Sequence, residues 1–333
     1  MKGAVELPIR EPVYSTYHSQ GNGGAVLAEN PSILNWYLNQ VMILNCTPKF
    51  LHGLTTPEVS VDESTDGENP YLEKKYFMMQ SHGKEIHSII QALLEEGYYV
   101  AFTGIDDYYV EGKSWYHKRH MAHDGLICGY SQKQKTYSLF AYDQSWIYRV
   151  FQTSQKGFEE GRQAAFQEGN YGMICGLKVK PDIIELQPGQ ICAQLRAYLD
   201  SSLERYPLDG NVIIYGTAVH DYVALYLDKL AEESVPYERM DWRVFRMLWE
   251  HKKVMLKRLL TVEDSLCLSR EISIQYKALV KAADHMRMLY ASHYFKRRDS
   301  VLPVIRSQLL DLKTLESKLL KEFILKTEGE LYK

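Results

Sequence analysis

LEEGYYVAFTGIDDYYVEGKSWYHKRHMAHDGLICGYSQKQKTYSLFAYD (residues 94–143) decides how the first half of this chain folds. It opens on the last turn of a predicted amphipathic helix, Glu85–Gly97. There Ile86, Ile89, Ile90, Leu93 and Leu94 share a face and Gly97 supplies the stop. YYVAFTGI (98–105) is apolar and β-branched enough for a buried strand. GLICGY (125–130) and TYSLFAYD (136–143) flank SQKQK, whose polarity and length suit a hairpin loop.

Working outward, WIYRVFQT (146–153) and YGMICGLKV (171–179) read as further strands of the same antiparallel sheet, with a short helix at 156–167 between them. Upstream, Asn30 and Pro31 are placed to cap and open a helix over 31–44, and LTTPEVSVDESTDGENP (54–70) reads as a turn-rich polar loop. Past residue 185 the pattern changes to long runs with apolar residues at helical spacing. Helices are predicted near 189–205, 216–234, 238–260, 263–292 and 300–328. The expected fold is α+β: residues 1–185 form an antiparallel sheet with packed helices, and residues 186–333 form a mostly helical domain covering a cleft.

The 333 residues are 45% hydrophobic and 24% charged, enough to bury a sizeable core. A formal net charge of −3 removes the general electrostatic case for nucleic acid. No run approaches the roughly 18 apolar residues of a membrane span, and the N-terminus lacks the apolar core of a signal peptide. The five cysteines, at 46, 128, 175, 192 and 267, form no CxxC pair and no metal motif. The expectation is a cytoplasmic protein with reduced thiols, no metal and no membrane or nucleic-acid partner. GNGGAV (21–26) lacks the Lys-Ser/Thr of a phosphate loop.

The chemistry is sought in the central hairpin. His123 stands just before one strand and Asp143 ends the next, so antiparallel pairing sets them side by side at one sheet edge. A carboxylate there fixes the imidazole tautomer and leaves the other ring nitrogen free as a base, the half-site that Cys–His enzymes require.

The order of these features resembles the N-terminal domain of the butirosin biosynthesis protein H family, a relative of papain-like, bacteriocin-processing peptidases. The matching residues are Gly97, Val100, Asp106 or Asp107 with Tyr108 and Tyr109, Tyr116, His123, Gly129 with Tyr130, and Asp143. The match spans about 50 residues well. It is loose in the helical half, through GTAVHDYVALYL and DWRVFRMLWEHKKVMLKRL. The resemblance implies a papain-like sheet. It also implies an acyltransferase that moves an acyl group from a carrier-protein thioester to an amine in specialised-metabolite assembly. The protein itself would need no cofactor, since a phosphopantetheine arm would belong to the acyl or peptidyl carrier protein, and the second partner would be a small amine.

Papain-like chains carry the nucleophile ahead of the histidine, at the start of an early helix. Cys46 is the only thiol before His123, and Gln40, six residues upstream, matches the spacing of an oxyanion-stabilising glutamine. Cys46 follows the predicted helix, however, and Asn30, Pro31 and Ser32 open it. The nucleophile is therefore Cys46, Ser32, or absent. Asp106, Asp107, Tyr108, Tyr109 and Tyr116 are the candidate lining for a cationic amine, and His117–His120 form a basic cluster suited to a carrier's phosphate. The same residues with water as acceptor describe a cysteine peptidase or amidase; without a nucleophile they describe a silent binding or scaffold protein.

Overall fold

The computed structural model describes residues 3–52, 56–61, 69–201, 212–235 and 240–333. The predicted loop at 54–70 and the predicted helix ends at 202–205 and 238–239 therefore fall wholly or partly outside the described residues. In chain order the strands are β1 (Ala4–Glu6), β2 (Leu44–Cys46), β3 (Ser60–Val61), β4 (Leu72–Met78), β5 (Tyr99–Asp106), β6 (Ala122–Ser131), β7 (Thr136–Tyr142), β8 (Tyr148–Ser154), β9 (Met173–Val179) and β10 (Ile214–Tyr215). The helices are α1 (His18–Leu27), α2 (Ile33–Gln40), α3 (Met79–His82), α4 (Ile86–Glu95), α5 (Gln155–Gln167), α6 (Pro188–Asp200), α7 (Ala218–Ala231), α8 (Arg243–Ser265), α9 (Glu271–Lys296) and α10 (Leu302–Leu331). The fold is α+β, a large antiparallel sheet with packed helices plus a C-terminal helical region.

The chain forms two compact units. The first comprises Met1–Ile33 with Asn69–Ile183, the second Leu34–Glu68 with Ile184–Lys333. The change of character near residue 185 thus coincides with a boundary, but residues 34–68, expected in the first domain, join the helices. The reason lies in buried polar contacts. Arg258 of α8, fully buried, donates to the Leu38, Tyr37 and Val41 carbonyls at 2.6, 2.9 and 3.0 Å. It gathers carbonyls from the last turn of α2 and the residue just beyond it, where helical partners run out. His251 meets the Met42 carbonyl at 2.8 Å, and β10 pairs with β2 through Ile214↔Cys46.

In the first unit the sheet order is β4-β9-β5-β6-β7-β8, with β1 also pairing with β6. Alternation along the strands buries Phe102, Ile127, Leu139 and Ile174, against which α4 sets Ile86, Ile90, Leu93 and Leu94 and α5 sets Phe158. α5 passes very close to the end of β5. A Cβ on Gly161 would stand 2.7 Å from the Asp106 carbonyl oxygen, and one on Gly157 would stand 2.4 Å from that of Tyr109. Only glycine permits this approach, and the segment it presses on is 106–109.

α1 is not among the helices predicted from the sequence. Gly21, Asn22 and Gly24 are buried in it, and Tyr148 occupies the space where a Gly21 Cβ would sit. Packing against β6, β7 and β9, with Tyr148 of β8 beside Gly21, overrides a weak helix propensity.

The second unit packs α8, α9 and α10 together, with α6 and α7 against α10. The break predicted between the helices at 238–260 and 263–292 lies a few residues later, between Ser265 and Glu271, where Cys267 adopts φ +53° and the Leu268 N–H bonds back to the Glu263 carbonyl. This unit buries a polar knot: Glu316 accepts from Lys252 Nζ at 2.7 Å, from the Tyr198 hydroxyl at 2.9 Å, and from the Tyr276 hydroxyl. No helix among the described residues is long and apolar enough to cross a membrane.

Candidate functional site

The end of β5 and the start of β6 create the site. The pairs Ile105↔His123 and Asp106↔Ala122 run to the strand end, and the chain then turns through Asp107–Tyr109. Asp106 caps that turn by accepting the Tyr108 N–H at 3.1 Å, and the Asp107 N–H bonds the Met121 carbonyl at 2.9 Å. Asp107 therefore lies diagonally across from His123, two residues beyond its partner Ile105 and on the same face.

That geometry brings Asp107 Oδ2 to 2.5 Å from His123 Nδ1. Asp107 is 2% exposed, and its other oxygen faces the equally buried Lys113 Nζ at 3.3 Å. Lys113 also donates to the Asp124 carbonyl at 3.1 Å. The Asp107 carboxylate faces an ammonium on one side and takes the Nδ1–H of His123 on the other. Nε2 is left as the proton acceptor, and the ring is 30% exposed. Burial raises the neighbouring Asp124 carboxyl, against the Gly104 N–H and the charges of His123 and Lys113.

The orienting carboxylate expected from the sequence was Asp143; the structure assigns that contact to Asp107. The β6–β7 ladder runs through Leu126↔Phe140 in the register that would bring His123 opposite Asp143. It ends there, because Asp143 turns into a tight loop. Its carboxylate accepts the Ser145 and Ile147 N–H groups at 2.7 and 3.0 Å and pairs with Arg149. Burial alone would raise the Asp143 carboxyl, but those donors and Arg149 outweigh it and lower it. The Asp143 carboxylate serves its own turn: Oδ1 takes the two backbone donors and Oδ2 faces Arg149.

Cys46 and Gln40 belong to the second unit, whereas His123 belongs to the first. Cys46 lies in β2, the middle strand of the β10-β2-β3 sheet, with no exposed surface. Burial pushes its thiol up to about 12, so it is a protonated core thiol at neutral pH. Gln40 ends α2, half-buried. The Ser32 hydroxyl bonds Asn30 Oδ1 at 2.9 Å and the Asp182 carbonyl at 3.1 Å, as part of a helix entry. Cys128 and Cys175, the cysteines of the first unit, are buried too.

Asp106 and Asp107 are both buried, so the acids do not line a solvated cleft wall; each is committed to an imidazole. Asp106 Oδ2 meets His120 Nδ1 at 2.7 Å. Tyr108 stacks on His120 with ring centroids 4.2 Å apart, and Tyr116 stacks on His117 at 4.0 Å. Tyr109 closes edge-on against Tyr108 at 5.1 Å. The four residues His117–His120 are all exposed.

His18, which opens α1, is a site residue the sequence reading missed. Its ring lies 5.8 Å from that of His123 and packs edge-on against Tyr142 at 5.3 Å. The Tyr142 hydroxyl holds the Ser15 carbonyl at 2.7 Å, and the Tyr148 hydroxyl bonds Asn22 Oδ1 at 2.5 Å, so the start of α1 is clamped to the sheet. The only sequence signal was a histidine ahead of a glycine run, with no periodic apolar face to betray a helix.

Among the described residues no group of three or more histidine, cysteine, aspartate or glutamate side chains is arranged to hold a metal ion. Neither protein-family models nor curated proteins give a match to this sequence.

Proposed function

We propose that the first unit is an acyltransferase of papain-like ancestry that moves an acyl group from a carrier-protein thioester to an amine, with His123 as general base and Asp107 as its orienting carboxylate. The observation that carries this reading is the 2.5 Å His123–Asp107 pair, seated on buried Lys113 and open at Nε2. The resemblance to the butirosin biosynthesis protein H family supports the donor and acceptor classes. The exposed His117–His120 run supports a carrier, since Lys118 and Arg119 offer charge to the phosphate of its arm.

The buried Cys46 thiol, pushed up to about 12, favours direct transfer over an acyl-enzyme. In that mechanism the amine attacks the thioester carbonyl while His123 removes its proton, and the carrier thiol departs. The test is incubation with an alkyl thioester of N-acetylcysteamine and a primary amine, followed by mass spectrometry. Amide that disappears in His123→Ala is the expected result. Free acid as the only product indicates a hydrolase.

One observation favours a second reading, a silent binding protein of a biosynthetic assembly. The first helix of the first unit opens on Tyr17, His18 and Ser19, where a papain-like enzyme would carry its thiol. Absence of any turnover together with retained binding of a carrier protein would select it.

A further inference from the structure

We propose that His18 is a second catalytic imidazole, the general acid that protonates the departing thiol; this rests on reading the site as an acyl-transfer centre. Direct aminolysis of a thioester moves two protons. The nitrogen lone pair forms the C–N bond to the carbonyl carbon, and the ammonium so formed must lose a proton. The C–S bond breaks with its electron pair going to sulfur, and the thiolate gains a proton. His123 serves the first transfer, with its Nδ1 held by Asp107 and its Nε2 open. The second needs a donor on the leaving-group side.

His18 is placed for it. Its ring centroid lies 5.8 Å from that of His123 and its plane is tilted by 47°, so the two imidazoles are direct neighbours that are not stacked face to face. It belongs to a different element, α1, which packs against β6. The Tyr142 ring at 5.3 Å and the Tyr148 ring at 6.0 Å flank it. Those tyrosines are anchored through Ser15 and Asn22, on either side of His18 in the chain. The glycine at 21, which leaves room for Tyr148, has its reason in this clamp. At the end of a cycle His123 carries the extra proton and His18 lacks one; return of that proton to His18 restores both. No oxidant or further reactant is required.

General acid assistance matters in proportion to how poor the leaving group is. The experiment therefore compares an alkyl thioester of N-acetylcysteamine with a thiophenyl ester of the same acyl group, whose thiolate leaves without a proton. Amide formation is measured for the unaltered protein and for His18→Gln. The expected result is that His18→Gln lowers the alkyl-to-phenyl rate ratio by on the order of 10²-fold. His18→Gly assayed with added imidazole guards against misfolding, and imidazole is expected to restore the alkyl rate. An unchanged ratio overturns the role of His18 while leaving the acyl-transfer reading intact. No amide from either donor with the unaltered protein overturns both.

Discussion

Asp107 reaches His123 diagonally across two antiparallel strands, and buried Lys113 holds the carboxylate from its far side. The pair is built from the residue that follows β5 and the second residue of β6, at the end where their ladder stops. Exchanging a proton at Nε2 then leaves the imidazolium facing a fixed negative charge, which is the electrostatic content of a base–carboxylate pair.

Asp107 and Asp143 are separated by mutation. Asp107→Asn removes the acceptor of Nδ1–H and is expected to lower amide formation by about 10²-fold or more, with the protein still folded by circular dichroism. Asp143→Asn loosens the 143–149 hairpin and is expected to lower the melting temperature while changing the rate by less than about threefold. The reverse ranking would return the orienting role to Asp143.

The cysteines differ in accessibility. Cys267 is exposed, whereas Cys46, Cys128, Cys175 and Cys192 are buried, with Cys46 and Cys128 each pushed up to about 12 by loss of solvent. Brief iodoacetamide treatment of the native protein at pH 8 should add one carbamidomethyl group, mapped to Cys267 by peptide mass spectrometry. Labelling at Cys46, or loss of transfer in Cys46→Ala, would reinstate a thiol mechanism.

The helical unit should be sensitive to acid. Burial raises the Glu316 carboxyl, but Lys252, His220 and His251 outweigh it and hold it at about 2; burial and Lys252 hold His220 at about 4. In the unfolded chain these groups bind protons near pH 4.3 and about 6.5. The unfolded state thus takes up more protons as pH falls, and stability declines from about pH 6.5 through 4 and further toward 2. Urea melts across that range should show the decline. Glu316→Gln leaves Lys252 buried without its counter-charge and is expected to cost about 3–5 kcal/mol at pH 7, with partial recovery when Lys252→Met is added.

Gly161→Ala tests the support behind the site. Its Cβ would meet the Asp106 carbonyl at 2.7 Å, a backbone atom that moves only with the 105–109 segment. A stability loss of about 1–3 kcal/mol is expected, together with a fall in amide formation as Asp107 shifts away from His123. Wild-type activity in a stable Gly161→Ala protein would refute the link between α5 and the pair.

Legibility tracked periodicity. The α4 stripe, the strands β5 to β9 and the helix α5 were readable because each repeats its apolar residues at the spacing of its own element. α1, β1, β2 and β4 were not. Glycines hide the α1 pattern, while β1 and β2 are three residues long. β4, LEKKYFM, carries lysines along an edge strand. His123 was found because it begins a strand; His18 was not, because nothing local marks its helix.

The sequence by itself determined the α+β class, the central hairpin and the candidacy of His123, since side-chain alternation and turn chemistry are local properties. Tertiary structure alone decided which carboxylate serves that histidine, where Cys46 lies, and that residues 34–68 join the helices. Asp107 wins over Asp143 because Asp106 caps the 107–109 turn and leaves the Asp107 carboxylate to Lys113 and His123, whereas Asp143 itself caps the 143–147 turn. Residues 34–68 follow Arg258 because a buried guanidinium needs acceptors, and the carbonyls ending α2 supply three. Contacts of that kind, more than 200 residues apart in the chain, leave no periodic trace in either segment.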